Sequence, residues 1–264
     1  MKFKTLMMAA AAALVLGAAG ATTAKADLVF ATDAAPYPPF TSQNAAGEWE
    51  GWEYEVLMAI CAEMNEKCTL IPIAWDGIIP ALLEKKMDGI FGSMSITPER
   101  QKQINFSDVY YNTPSMVIGP KGGDKNIAPE ALKGKTIGSQ ASTTHANYVE
   151  KYFVPAGAVS KTYKGQDEAN ADLAAGRLDY VQADSITLFN FLATDEGKAC
   201  CEAYGMVPED DAVLGPGVGV GLRKEDTALL EKLNTAIHAI GKKGIYDKLA
   251  EKYGLAGKLA TPKE

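Results

Sequence analysis

The run Asp88-Gly89-Ile90-Phe91-Gly92-Ser93-Met94-Ser95-Ile96-Thr97-Pro98-Glu99-Arg100 passes from strand to turn to helix within a few residues. Residues 88–92 read as a strand, and Ser93 and Ser95 as the turn that follows. Thr97 is placed to cap a helix whose first position is Pro98, where the N–H that proline lacks would have had no partner. Free backbone N–H groups and a hydroxyl converge there. Arg100 lies one turn in, and its guanidinium can grip a carboxylate through two parallel hydrogen bonds. On residues alone, a solvated helix arginine is the other reading of Arg100.

Working outward, residues 28–31 read as a buried strand and 54–64 as an amphipathic helix after a turn containing Gly47 and Gly51. A strand over 69–73 and a helix from about Gly77 to Lys86 follow. This alternation predicts an α/β protein with mainly parallel sheets. The pattern breaks at Val117-Ile118-Gly119-Pro120-Lys121-Gly122-Gly123 and restarts at Thr136-Ile137-Gly138, which predicts two similar α/β lobes. A glycine-rich strand over 215–223 then precedes a helix whose apolar residues Leu229, Leu230, Leu233, Ile237 and Ile240 recur at helical spacing. The pattern does not say which lobe receives that helix.

A second turn of the same kind is Gln140-Ala141-Ser142-Thr143-Thr144, at the start of another helix. N-capping alone would explain Ser142 or Thr143. Two such turns, one per lobe, point to an anion site between the lobes. Tyr37 and Trp75 sit in or beside proline- and glycine-containing turns and read either as core or as rings facing a cleft. In the second case they would sandwich an extended side chain, a cation over such rings gaining roughly 0.5 to 2 kcal/mol. Asp33, directly after the first strand, reads as the partner of a distal charge or as a turn residue.

At the amino terminus, Lys2 and Lys4 precede an apolar run from Leu6 to Ala19 and the small-residue site Ala24-Lys25-Ala26. This predicts a signal peptide over residues 1–26, cleaved after Ala26. The run is shorter than the roughly 20 residues a membrane-spanning helix needs, so no stable membrane insertion is expected. Cleavage removes three lysines and no acid, leaving 23 basic against 33 acidic residues and moving the formal charge from −7 to −10. So acidic a chain is a poor partner for nucleic acid.

In an exported chain, cysteines read first as disulfide candidates. Cys61 and Cys68 flank the end of a helical pattern, and a bridge between them is expected. The adjacent Cys200 and Cys201 permit a vicinal disulfide, free thiols or bridges to other chains, the first two being favoured over the last. With only His145 and His238 elsewhere, neither pair has zinc-ligand spacing, and no metal or cofactor is expected.

The chain resembles the periplasmic polar amino-acid-binding proteins of ABC importers. The resemblance rests on Thr32-Asp33 with Tyr37 and Phe40, Gly47-Glu48 to Gly51-Trp52-Glu53, Trp75-Asp76-Gly77 and Ser95-Ile96-Thr97-Pro98-Glu99-Arg100-Gln101. Asn105-Phe106-Ser107-Asp108, Ala175-Gly176-Arg177-Leu178-Asp179 and Gly219-Val220-Gly221-Leu222-Arg223-Lys224 extend it over essentially the whole mature chain. The nearest branch looks like the lysine/arginine/ornithine- and histidine-binding proteins, with opine binders close by.

The resemblance implies a type II periplasmic-binding fold with two interlobe crossovers, lobe 1 comprising residues 27–112 and 209–264 and lobe 2 residues 113–208. It assigns Arg100 to the ligand α-carboxylate, helped by Ser142 or Thr143 and the backbone around Ser95. Asp184, with Ser93 and Ser95, would hold the α-ammonium. Tyr37 and Trp75 would stack on the side chain, and Asp33 and Glu53 would meet its distal charge. It also places a disulfide at Cys61 and Cys68. Three departures, an extra residue between Asp33 and Tyr37, Gly92 in place of a serine and Ser139 in place of a leucine, would border the side-chain pocket. A pocket enlarged at Gly92 would suit arginine or an arginine derivative. The implied partners are a free amino acid, most simply a cationic one, and an inner-membrane permease that recognises the closed form of a monomeric periplasmic protein. The competing class is an enzyme on the same fold, for which Asp184, Glu53 and His145 are the only acid–base candidates. Each has a plainer role, as ammonium partner, side-chain partner and surface helix residue respectively, and no catalytic residue is assigned.

Overall fold

The computed structural model describes residues 27–262. The signal peptide and its cleavage after Ala26 therefore lie outside the described residues. The chain opens with β1 (Leu28–Asp33), the small hairpin β2 (Ser42–Gln43) and β3 (Trp49–Glu50), helix α1 (Trp52–Glu63) and β4 (Cys68–Ile73). Helix α2 (Ile78–Leu83), β5 (Gly89–Ile90), the one-turn helix α3 (Pro98–Gln101) and β6 (Asn105–Phe106) follow. The middle of the chain runs β7 (Ser115–Pro120), β8 (Thr136–Gln140), α4 (Thr144–Tyr148), β9 (Val159–Tyr163), α5 (Gln166–Ala174), β10 (Tyr180–Asp184), α6 (Ser185–Leu192), α7 (Asp195–Cys200) and β11 (Cys201–Met206). It ends with β12 (Gly221–Leu222), α8 (Thr227–Lys242) and α9 (Ile245–Lys252).

Two five-stranded sheets result, in the orders β4-β1-β5-β12-β6 and β11-β7-β10-β8-β9. In the first, β12 runs antiparallel to both its neighbours while β4, β1 and β5 are parallel. In the second, β7 is the reversed strand, antiparallel to β10 and β11, beside the parallel strands β10, β8 and β9. The expectation of mainly parallel sheets therefore holds with one reversed strand in each. Both reversed strands belong to segments that have just left the other sheet, so no crossover helix sets their direction.

Apolar composition explains the central positions. The second half of β1 is wholly buried, as strands covered on both faces must be. Each sheet carries core on two sides. The terminal helix α8 settles on the first sheet, where Leu233, Ile237 and Ile240 pack with Val56, Leu57 and Ile60 of α1. Each such side chain contributes about 1.5 to 3 kcal/mol of burial. The expected strand over 215–223 shrinks to Gly221–Leu222, because Gly215 and Gly217 adopt φ of 81° and 152°, outside the range of a regular strand. Val218 instead makes single bridges to Ser95 and Tyr111.

The Cys61–Cys68 disulfide is present, tying the end of α1 to the start of β4. Cys200 and Cys201 form a vicinal disulfide, which resolves the alternatives left by the sequence. Among the described residues, no helix is long and apolar enough to cross a membrane and no cluster of acidic, histidine or cysteine side chains could hold a metal.

Candidate ligand-binding site

The two capped turns face each other from opposite sheets. Thr97 Oγ1 accepts from the Arg100 N–H at 3.3 Å, and Thr143 Oγ1 accepts from the Ala146 N–H at 3.1 Å. Each turn also holds a serine in the left-handed region, Ser93 at φ 56° and Ser142 at φ 60°. Such backbone costs on the order of 1 kcal/mol or more in a non-glycine residue and persists where the surroundings fix it. Here those surroundings are visible. Ser93 is held by Glu53, whose carboxylate accepts from its N–H at 2.6 Å and its hydroxyl at 2.9 Å. Ser142 directs its carbonyl across the cleft, where it accepts from Trp75 Nε1 and Arg100 Nη2, both at 3.2 Å.

The cavity between the turns encloses about 420 Å³ of empty space, counting the solvent at its open mouth. Asp33, Tyr37, Trp75, Ser93, Ser95, Arg100, Thr143 and Asp184 all line it, so eight of the residues singled out in the sequence converge. Arg100 is 9% exposed, donates from Nη1 to the Ser95 carbonyl at 2.9 Å, and lies 5.5 Å from the centroid of the Trp75 ring. Burial lowers it to about 10, which leaves it charged at neutral pH. Among the described residues its side-chain partners are carbonyls and a ring, with no acid within ion-pair distance. A buried guanidinium so placed is matched to an incoming carboxylate.

Asp184 lies at the end of β10. Its Oδ2 accepts from Tyr37 Oη at 2.5 Å and its Oδ1 from Thr113 Oγ1 at 2.8 Å. Burial acts to raise its carboxyl, but His145, with the hydrogen bonds, outweighs this and holds it below the usual carboxylate range. Asp33 closes another part of the wall, bonded across the cleft by Gln140 Nε2 and by the Ala35 N–H at 3.2 Å. Burial raises the Asp33 carboxyl, with Gln140 and backbone N–H groups opposing it. Tyr37 is positioned by stacking on Phe40, which in turn stacks on Tyr111.

Four expectations need correction. Glu53 does not reach the cleft: it is fully buried beneath Ser93, with Tyr110 Oη also donating to it at 2.5 Å, because its helix points it inward. Ser139 is likewise fully buried in β8 and does not border the pocket, since alternation along the strand turns it to the other face from Gln140. Gly92 does line the cavity, yet a Cβ there would stand 2.5 Å from Thr32 Oγ1 and 3.0 Å from Thr32 Cα. The missing side chain makes room for β1 rather than enlarging the pocket. His145 is not a surface residue: it is 8% exposed and lines the cleft. Thr143 is partly committed to its own turn, since its hydroxyl donates to the Gln140 carbonyl at 2.7 Å.

Gln140, Thr32, Thr41, Thr144 and His145 also line the cavity and were not singled out as site residues. Gln140 and Thr144 flank a turn recognised in the sequence, so proximity alone was the available signal. His145 Nδ1 lies 2.9 Å from Ser115 Oγ, a hydroxyl and base side by side that sequence spacing did not disclose.

The family model for bacterial extracellular solute-binding proteins, family 3, matches residues 28–256. An L-arginine-binding protein of Pseudomonas aeruginosa is 40% identical over 220 residues, covering 83% of this chain and 85% of that protein. A histidine-binding periplasmic protein of Escherichia coli K12 is 37% identical over 218 residues, covering 82% and 84%. Among solved structures, an ancestral arginine-binding protein bound to arginine superposes with a TM-score of 0.79 at 32% identity, covering 87% of this chain and 98% of that one. The two sheets, each with its reversed crossing strand, are the two lobes of a type II periplasmic-binding fold, and the chain belongs to the bacterial extracellular solute-binding proteins, family 3.

Proposed function

We propose that this protein captures a free cationic amino acid between its two lobes and delivers it to the membrane permease of an ABC importer. The observation that carries this reading is the charge set of the cleft, one buried guanidinium and two carboxylates, Arg100, Asp184 and Asp33. A basic amino acid carries the complementary set. Its α-carboxylate meets Arg100, its α-ammonium Asp184 and its distal cation Asp33, with the Tyr37 and Trp75 rings alongside. Arginine is favoured, because Gln140 holds Asp33 as a fixed acceptor for a many-donor group.

Lobe 1 comprises residues 27–112 and 209–264 and lobe 2 residues 113–208, in a monomer exported to the periplasm after cleavage behind Ala26. Contacts from both lobes to one ligand favour the closed form by differential affinity. The protein acts as a binder rather than an enzyme: Ser115, the hydroxyl beside His145, is buried, held by Gln182 Nε2 at 3.1 Å, and is not among the residues lining the ligand cavity. Calorimetric titration of ligand-stripped protein with arginine, lysine, ornithine, histidine, glutamine and glutamate tests the reading. A cationic ligand should bind at micromolar level or tighter, about −8 kcal/mol or better. Arg100→Ala should abolish this, and Asp33→Asn should weaken cations selectively. Preference for a neutral or acidic ligand, or turnover of any of them, would refute it.

A further inference from the structure

His145 approaches Asp184 at Oδ2, the carboxylate oxygen that Tyr37 also bonds. Its Nε2 stands 3.5 Å from Asp184 Oδ2, within ion-pair reach but long for a hydrogen bond. Its Nδ1 lies 2.9 Å from Ser115 Oγ. Gln182 Nε2 already donates to that oxygen at 3.1 Å, so the Ser115 proton is free to point at Nδ1, which leaves the Nε2 proton facing Asp184. The same hydroxyl has a second acceptor, the Ala183 carbonyl at 3.5 Å. Turning towards it would leave the Ser115 oxygen able to accept from a protonated Nδ1. Both charge states of the imidazole are therefore satisfied without moving the chain.

We infer that His145 is a positioning residue that competes with the ligand's α-ammonium for Asp184, so that capture weakens when the imidazole gains a proton. The inference rests on Asp184 being the ammonium partner, as proposed above. With a neutral imidazole, the Asp184 charge is available to the ligand, supported by Tyr37 and Thr113. An imidazolium would form an internal ion pair with it, and the two cations would oppose each other. Histidine is the side chain whose charge changes between about pH 5 and 8. The other ionisable groups lining the two cavities that His145 borders are Asp33, Tyr37 and Arg100 in the cleft and Glu209, Asp210 and Asp211 in the adjoining one, with Asp210 already bonded by Lys151 and Tyr152.

The test is calorimetry with L-arginine from pH 5.5 to 8 on the whole mature protein, beside His145→Gln. In the wild type, affinity should fall about tenfold or more towards pH 5.5, one pK unit of differential interaction, and binding there should release protons, read from heats in buffers of different ionisation enthalpy. His145→Gln should flatten the profile and abolish the release, whatever its affinity at pH 8. Acid loss of charge at Asp33 would persist in that variant, and desamino-arginine, which lacks the α-ammonium, should show no His145-dependent change. Arginine binding whose pH profile is the same in wild type and variant overturns this inference alone. No binding of any amino acid at any pH overturns it together with the cleft reading.

Discussion

Arg100 Nη2 donates across the cleft to the carbonyl of Ser142 at 3.2 Å, and Ser142 presents that carbonyl from a left-handed backbone. The guanidinium thus bridges both lobes, with Nη1 on Ser95 and the Trp75 ring beside it. Lysine could keep the charge but neither the planar fork nor the stacking. Arg100→Lys should lose one charge-assisted hydrogen bond, roughly 1.5 to 3 kcal/mol or about 10- to 150-fold in amino-acid affinity. Calorimetric Kd values for the pair of proteins check this.

Glu53 sets an acid dependence of stability. Burial raises its carboxyl from the ordinary 4.5 to about 7, despite the hydrogen bonds from Tyr110 and Ser93. Between those values the folded chain keeps a proton that the unfolded chain has lost. The Glu53 contribution therefore makes stability fall as pH rises from 4.5 to 7, by on the order of 3 kcal/mol in all. Glu53→Gln can retain two of the donors on its Oε1 and donate to a turned Ser93 hydroxyl. Urea melts at a series of pH values should show a flatter stability profile for the variant.

Gly92→Ala should destabilise the protein. The added Cβ would meet the Thr32 side chain and backbone, and β1 is held on both sides by β4 and β5. Overpacking of this kind costs roughly 1 to 3 kcal/mol. The lowered thermal midpoint should come with weaker ligand binding, since Thr32, which must shift, also lines the cleft.

Much of this was legible in the sequence because it is local. The Thr97-Pro98 cap, the 140–144 turn and the α8 stripe are read from spacing within a few residues, and Cys61 pairs with Cys68 seven positions away. The failures are places where distant segments decide. Glu53 points inward because Ser93 and Tyr110 supply donors from 40 and 57 residues away. His145 is drawn into the cleft by Ser115 and Asp184, neither of which has any sequence relation to it. Gly92 is explained by Thr32, a neighbour across a sheet ladder. Spacing cannot reveal which side of a turn another lobe will cover.

Removing the Cys61–Cys68 bridge by a double change to serine should cost about 2 to 3 kcal/mol, the loop entropy of so short a ring. The effect should be the same with and without ligand, because the bridge lies at the far end of α1 from Glu53, the buried support of the cleft residue Ser93. Denaturant midpoints measured in both conditions distinguish this from an effect on binding.

The position of β12 has a temporal consequence. All strands of the second sheet lie in one continuous stretch, residues 115–206, so that sheet can be completed from a single length of chain. The first sheet has a gap between β5 and β6 that only residues 221–222 fill, and its core also needs α8 and α9. A polypeptide emerging amino terminus first therefore finishes its middle before its beginning, and leaves the edge of β5 waiting until residues 221–222 have been delivered. Of the two lobes, the one begun first is the one exposed longest to misassociation during synthesis.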